Sequence, residues 1–168
     1  FNINMKNDLL DSIWKERPQL PNNKIFLHDK KYAGKSASEK LAQVRKNKKT
    51  KNADYFILSS LDDIAWLCNI RGNDIKFNPV ALSYVLVGMD YSNIYVDENK
   101  VDSETKTKLN SEGFEIKGYN EIEDDVKLLK GTVILDPNKL NAKIFTSLSN
   151  EVKVIRELNV TTNLKAIK

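Results

Sequence analysis

Residues 80–87, which read V-A-L-S-Y-V-L-V, constrain the fold more than any other segment of this chain. Nearly every position is apolar, whereas a strand with one face in water alternates apolar and polar side chains. We therefore predict a central strand that is covered by helices on both faces. Residues 88–92 read as a turn and residues 93–96 as a returning strand, and so short a connection makes the two strands antiparallel.

The rest of the chain alternates between helix and strand patterns. Ser36 and Glu39 have the spacing of a capping box, which predicts a helix from Ser36 to about Asn47. Other strands are predicted at residues 25–27, 55–58, 114–116, 132–135 and 152–155, and other helices at residues 7–14, 61–68, 102–109, 121–129 and 140–148. Helices that separate successive strands imply some parallel pairing. The predicted fold class is α/β, with a mixed sheet flanked by helices on both faces.

The helix at residues 61–68 has one apolar face, because apolar side chains recur along it at i, i+3, i+4 and i+7. Ser60 is expected to cap this helix with its side chain. Asp62 and Asp63 suit the first turn, where the helix dipole favours carboxylates. We therefore interpret both as structural residues rather than as metal ligands.

Size and composition are those of one globular domain, with 168 residues of which 40% are hydrophobic and 30% charged. No apolar stretch approaches the roughly 20 residues that cross a bilayer, and residues 1–10 lack the layout of a signal peptide. Cys68 is the single cysteine, so no internal disulfide can form, which favours a reducing compartment. We predict a cytoplasmic protein with no membrane partner.

The net charge of +4 comes mainly from lysine and invites a nucleic-acid interpretation. The densest basic run is residues 45–51, which we interpret as a solvated helix C-terminus whose cations complement the helix dipole. Base recognition favours arginine forks or interleaved aromatic residues, and this run has neither. No nucleic-acid partner is predicted, although a binder that uses Lys46–Lys51 stays an alternative.

The residue types that carry most hydrolytic and transfer chemistry are scarce. His28 is the only histidine, and a zinc site needs clustered histidine and cysteine. Cys68 lies on the apolar helix face, where it reads as a small buried hydrophobe rather than a nucleophile. Gly34, Lys35 and Ser36 resemble the end of a phosphate-binding loop, but the glycine that should precede them by five positions is Asp29. We predict no catalytic residue and no metal ligand in this chain.

The polar segment at residues 69–74, N-I-R-G-N-D, interrupts two buried segments and reads as a turn. Gly72 is expected to take a positive φ, and Asn73 and Asp74 to hydrogen-bond their own backbone. Arg71 is expected to bridge carbonyl groups or Asp74 across the turn.

Residues 61–74, L-D-D-I-A-W-L-C-N-I-R-G-N-D, are followed by Asn-Pro-Val at 78–80 and Ser-Tyr at 83–84. Together they resemble the middle domain of the long, three-domain Xaa-Pro aminopeptidases. Ile-Trp at 13–14 with Arg-Pro at 17–18, and Y-A-G-K-S with E-K-L across residues 32–41, resemble family motifs in the same order. Residues 165–168 resemble the join to the catalytic domain, and the resemblance is only general between residues 96 and 163.

The resemblance implies a non-catalytic middle domain at residues 1–163 with the fold of creatinase and prolidase N-terminal domains, and a connection at residues 164–168. Its partners would be the N-terminal and catalytic domains of the same parent chain, in a homodimer. The parent would remove the first residue from peptides with proline second, using two divalent metals, expected to be manganese. Their ligands, two Asp, one His and two Glu, would lie in the catalytic domain, so no cofactor is predicted here.

The resemblance gives the polar segment a further role. Arg71, Asn73 and Asp74 are the residues that we expect to contact a neighbouring domain or the active-site cleft of the parent. A free-standing α/β binding module, which would hold a ligand or a protein at the segment after Cys68, stays the main alternative.

Overall fold

The computed structural model describes Leu10 and residues 13–166. Most of the helix predicted at residues 7–14, and the last two residues of the predicted connection at 164–168, lie outside the described residues.

The strands, in chain order, are β1 (Phe26–Leu27), β2 (Tyr55–Leu58), β3 (Ile70–Arg71), β4 (Ser83–Val87), β5 (Ser92–Val96), β6 (Glu115–Gly118), β7 (Gly131–Leu135) and β8 (Val152–Arg156). The α-helices are α1 (Lys30–Ala33), α2 (Ala37–Thr50), α3 (Leu61–Leu67), α4 (Ser103–Ser111), α5 (Ile122–Lys127), α6 (Ala142–Ser147) and α7 (Val160–Ala166). Short 3-10 helices occupy Glu98–Lys100 and Tyr119–Glu121.

Six strands form one mixed sheet in the order β6-β5-β4-β2-β7-β8, and β1 pairs with β3 in a small antiparallel ribbon. β4 is antiparallel to both of its neighbours, whereas the β5–β6, β2–β7 and β7–β8 pairs are parallel. The predicted mixed sheet, with its antiparallel β4–β5 hairpin, is therefore confirmed. The central strand begins at Ser83 rather than at Val80, because the carbonyls of Pro79 and Val80 accept hydrogen bonds from the preceding loop instead of from a strand.

Two apolar clusters, one on each face, sandwich the sheet. On one face Leu41 and Val44 of α2 and Ile64 and Leu67 of α3 pack on alternate strand residues. On the other face α5 and α6 cover the sheet, through Ile122 and Val126 of α5 and Ile144 of α6. This two-sided cover explains why β4 is apolar at almost every position, and it confirms the predicted layer order.

The helix starts show how far local sequence signals hold. Ser36 and Glu39 form the predicted capping box, with the Glu39 backbone donating to Ser36 Oγ at 3.1 Å and the Ser36 backbone donating to Glu39 Oε2 at 2.6 Å. Ser60 occupies the N-cap position of α3, but its side chain caps nothing. Its hydroxyl instead accepts a hydrogen bond from Asn159 Nδ2 at 3.0 Å. The predicted side-chain cap is therefore wrong, because a residue distant in the sequence binds the Ser60 oxygen.

The register places all the major loops at two opposite edges of the sheet. We call the edge where β2, β5, β6, β7 and β8 end, and where β4 begins, the carboxyl edge; the opposite edge is the amino edge. The loop before β4, the 3-10 helix Glu98–Lys100 and the start of α7 lie at the carboxyl edge. The β4–β5 turn and the turn after α5 lie at the amino edge.

Candidate functional site

Residues 72–82, between β3 and β4, are the longest connection at the carboxyl edge, and we call them the polar loop. Gly72 lies against Ala81, so close that a Cβ at position 72 would stand 2.9 Å from the Ala81 Cβ and 3.1 Å from the Val80 carbonyl oxygen. The expected positive φ at Gly72 is wrong, since the described glycines with positive φ are Gly34, Gly113 and Gly131. Glycine is required here by close approach of two backbones, which only the folded chain reveals.

Asp74 anchors the base of the polar loop. Its carboxylate is buried and accepts two hydrogen bonds through Oδ2, from the Leu82 backbone and from Lys100 Nζ, both at 2.6 Å. Both members of the ion pair are almost fully buried, with 2% of the Lys100 side chain and none of that of Asp74 exposed. Asp74 thus bonds backbone eight positions away rather than its own turn, contrary to expectation, and Lys100 is a residue that sequence reasoning missed.

Arg71 and Asn73 take different positions beside this ion pair. Arg71 is half-buried and donates from Nη1 to the carbonyls of Ala65 and Ile70, each at 2.8 Å. The predicted bridging of carbonyls is confirmed, and burial lowers the pKa of the Arg71 guanidinium. Asn73 is exposed, and its carbonyl accepts from Asn23 Nδ2 at 3.4 Å. Of the three predicted contact residues, Asn73 is therefore the one that is exposed.

The tip of the polar loop presents apolar side chains to water. Phe77 is 95% exposed and Ile75 is 43% exposed. The Lys76 ammonium lies 5.0 Å from the Phe77 ring centroid, within cation–π range.

A cavity of about 340 Å³ opens at the same edge, lined by Leu20, Leu82, Asp97 and Tyr119 among others. Beside it, the hydroxyls of Tyr84 and Tyr119 lie 3.4 Å apart. Burial raises the pKa of Tyr119, so this phenol stays protonated and is suited to hydrogen bonding rather than to acting as a base. The cavity can admit a small polar or apolar group, and its described lining offers no activated nucleophile.

The other candidate groups are engaged in structural roles. Burial raises the pKa of the Cys68 thiol, which is 1% exposed. Partial burial, together with Arg71 and Lys40, lowers the pKa of His28. Asp62 Oδ2 accepts from Lys165 Nζ at 2.6 Å, and Asp63 Oδ2 accepts from Asn159 Nδ2 at 2.9 Å.

The part of the chain that the structure describes offers no set of metal ligands. There, no group of three His, Cys, Asp or Glu side chains lies close enough together to hold a metal ion. The described residues therefore do not fit the two-metal centre that the resemblance implies for the parent.

The basic run lies at the C-terminus of α2, as predicted, but it is not solvated throughout. Lys48 is fully buried, and its Nζ donates to the Asp54 carbonyl at 2.5 Å and contacts Met89 Sδ at 3.1 Å. The run thus combines exposed lysines with one that ties the end of α2 to the β2 side of the sheet.

Among residues 10 and 13–166, no helix is long and apolar enough to span a membrane.

Fold and site together define a mixed-sheet α/β domain whose carboxyl edge carries a polar loop held by internal hydrogen bonds and a buried ion pair. The model of the Creatinase/Prolidase N-terminal domain matches residues 16–168. This chain belongs to the family of creatinase and prolidase N-terminal domains.

Relatives in fungi share much of the sequence. A probable Xaa-Pro aminopeptidase P of Sordaria macrospora is 40% identical over 96% of this chain and 28% of its own length. One of Talaromyces stipitatus is 38% identical over 99% of this chain and 27% of its own length. The chain thus spans little more than a quarter of the length of these relatives.

Solved structures agree on the fold. An X-prolyl aminopeptidase from Caenorhabditis elegans, described as a cytosolic enzyme with a di-nuclear active site, superposes with a TM-score of 0.87 at 27% identity. The match covers 99% of this chain and 28% of that enzyme. A Streptococcus thermophilus Xaa-Pro aminopeptidase structure has a TM-score of 0.52 at 14% identity, covering 77% of this chain and 98% of its own, which indicates a shared fold alone.

Proposed function

We propose that this chain is a non-catalytic domain of a metal-dependent aminopeptidase that releases the N-terminal residue from Xaa-Pro peptides. The observation that carries the proposal is the superposition on the C. elegans enzyme, which covers nearly all of this chain but little more than a quarter of that enzyme. The fungal relatives, which bear the same activity in their names, support it at 38–40% identity.

In this proposal residues 1–163 form the middle domain, and residues 164–168 begin the connection to a catalytic domain. That domain would hold two divalent metals, with manganese as the expected ion, in keeping with the di-nuclear site of the C. elegans enzyme. The parent would work in the cytoplasm as a homodimer, and this domain would support assembly and close one side of the cleft.

The polar loop is the part of this chain that we assign to contacts with neighbouring domains. Asn73 is exposed and would make direct contact, whereas Arg71 and Asp74 hold the loop in place through the bonds described above. The contact role of all three residues stays a prediction. Fixing a loop before it binds lowers the entropic cost of binding, and the buried ion pair at the base of the polar loop would have this effect.

Parallel assays of the parent protein and of this chain alone would test the proposed activity. Each would be given manganese and a peptide with proline second, and a matched peptide with alanine second would serve as the control. We expect the parent to cleave only the proline peptide, to lose activity to a chelator and to regain it with manganese. The chain alone should not cleave either peptide, and measurable turnover by it would overturn the proposal.

The size of the native polypeptide separates this proposal from a free-standing binding module. An antibody raised against this chain should detect, in lysate of the source, a band several times larger than its 19.2 kDa. A band near 19 kDa would instead favour the binding module.

A further inference from the structure

Phe77 has a backbone conformation that its residue type disfavours. The non-glycine residues with positive φ among those described are Asn52, Asn69 and Phe77, with φ of 51°, 51° and 65°. Asparagine enters the left-handed region readily, but a bulky side chain there is an outlier. Such outliers persist where the surrounding structure enforces them, and they concentrate at functional sites.

Short-range hydrogen bonds hold the tip of the polar loop in this conformation. The Asn78 backbone donates to the Ile75 carbonyl at 3.0 Å, and the Val80 backbone donates to the Asn78 carbonyl at 2.8 Å. Below the tip, the Asp74 backbone donates to the Val80 carbonyl at 3.1 Å, and the buried Asp74–Lys100 ion pair completes the base. A firmly held base thus carries an aromatic side chain that is 95% exposed.

The segment that leads into β1 and the C-terminal helix α7 both contact the edge that carries this loop. The segment that leads into β1 is bound there, since the Ile25 backbone donates to the Lys100 carbonyl at 2.9 Å and Lys24 Nζ donates to the Asn99 carbonyl at 2.6 Å. At the other end, Asn159 binds Asp63 at the start of α3, and Lys165 of α7 binds Asp62. Domains joined to either end of this fold would therefore attach at the carboxyl edge, beside the polar loop.

We propose that Phe77 is the anchor of an interdomain contact, inserting its ring into an apolar pocket of the catalytic domain that follows residue 168 in the parent. Lys76, beside the ring, faces an acidic rim of that pocket. The inference rests on the proposed function, which supplies the catalytic domain as the occupant. Buried aromatic anchors that are held rigid before binding carry a large share of interface energy, and burial would offset the strain at Phe77.

Photochemical cross-linking in the intact parent tests this contact. Phe77 is replaced by the photoreactive p-benzoylphenylalanine, an aromatic residue that a 95% exposed position accommodates. The matched control carries the same replacement at Leu128, which is 77% exposed and lies at the amino edge. After irradiation and digestion, mass spectrometry identifies the cross-linked peptides.

We expect the position-77 variant to give a cross-link within one chain to a peptide beyond residue 168, at a yield at least ten-fold above the control. A cross-link to a peptide before residue 1, to a second copy of the chain, or none above the control would each overturn the inference. Activity measured on the same samples keeps the two proposals apart. A parent that cleaves Xaa-Pro peptides without this cross-link refutes only the contact, and a parent without that activity refutes the proposed function.

Discussion

The two edges of the sheet hold their charged groups in different ways. At the amino edge the exposed Asp54 carboxylate accepts a hydrogen bond from the Thr132 backbone, 78 positions along the chain, at 2.7 Å, and ties the start of β7 to the start of β2. At the carboxyl edge the Asp74–Lys100 ion pair is buried, joins residues 26 positions apart and holds the base of the polar loop. The difference is that water surrounds the charged contact at the amino edge and is excluded from the one at the carboxyl edge.

Two buried lysines, one near each edge, differ in the partner that each one meets. Lys100, at the carboxyl edge, meets a carboxylate, whereas Lys48, at the amino edge, meets a carbonyl oxygen and a thioether. A buried carboxylate left without its cation is strongly destabilising, while a lysine without a charged partner can often be replaced by an apolar side chain at little cost.

The largest effect is therefore expected from Lys100→Met. This substitution strands the buried Asp74 carboxylate and should lower the free energy of unfolding by about 3–5 kcal/mol. Lys48→Met is the matched control and should lose less, about 1–3 kcal/mol, because it leaves a carbonyl group rather than a carboxylate without its partner. Urea unfolding followed by circular dichroism measures both, and equal losses would show that the edges do not differ.

The next effect concerns the pH dependence of Lys40, a third buried lysine. Its Nζ donates to the Trp66 carbonyl at 2.8 Å and to Asn69 Oδ1 at 2.5 Å, and burial, followed by Arg71, lowers its pKa to about 8. The unfolded chain keeps this proton up to pH about 10.5, so between pH 8 and 10.5 the unfolded state binds more protons and stability rises with pH. Relative to Lys40→Met, the wild type should gain on the order of 2–3 kcal/mol over this range.

Denaturant unfolding of both proteins across this pH range checks the sign. A steeper rise of stability with pH in the wild type than in Lys40→Met would show that Lys40 loses its proton within the fold. It would then differ from Lys100, which is paired with a carboxylate. Parallel curves for the two proteins would contradict the prediction.

A smaller loss is expected from Gly72→Ala. The added Cβ would press on Ala81 and on the Val80 carbonyl, and overpacking of this kind costs about 1–3 kcal/mol. The double variant Gly72→Ala with Ala81→Gly removes the closer of these contacts and should recover part of the loss. Thermal unfolding of the single and double variants measures it, and no recovery would place the cause outside this contact.

The smallest effect, and the one that changes sign with context, belongs to Phe77→Asn. Asparagine relieves the left-handed strain, so this chain alone should gain about 0.5–1 kcal/mol. In the parent the same change removes the proposed anchor, so we expect lower stability there. Calorimetry of both proteins compares them, and a gain in both would argue that the carboxyl edge is not an interface.

Much of the fold was predictable, because strand and helix periods are properties of neighbouring residues. The capping box at Ser36 and the buried strand before Gly88 follow from spacing and apolar character alone, and both are observed. For the candidate site, the sequence predicted the position in the chain but not the contacts that form it. The polar segment after Cys68 stood out, yet its key partner, Lys100, lies in a short 3-10 helix that no local pattern links to Asp74.

Local order and family membership were thus readable from the chain, since both depend on which residues follow one another. Only the tertiary structure decided which polar groups are buried and which residues touch. Lys48 is buried although it belongs to a basic run, and the Ser60 hydroxyl accepts a hydrogen bond from Asn159. Gly72 is needed for close contact with Ala81 rather than for a turn. The physical reason is that desolvation and close packing depend on distances between residues far apart in the chain, which a linear pattern does not contain.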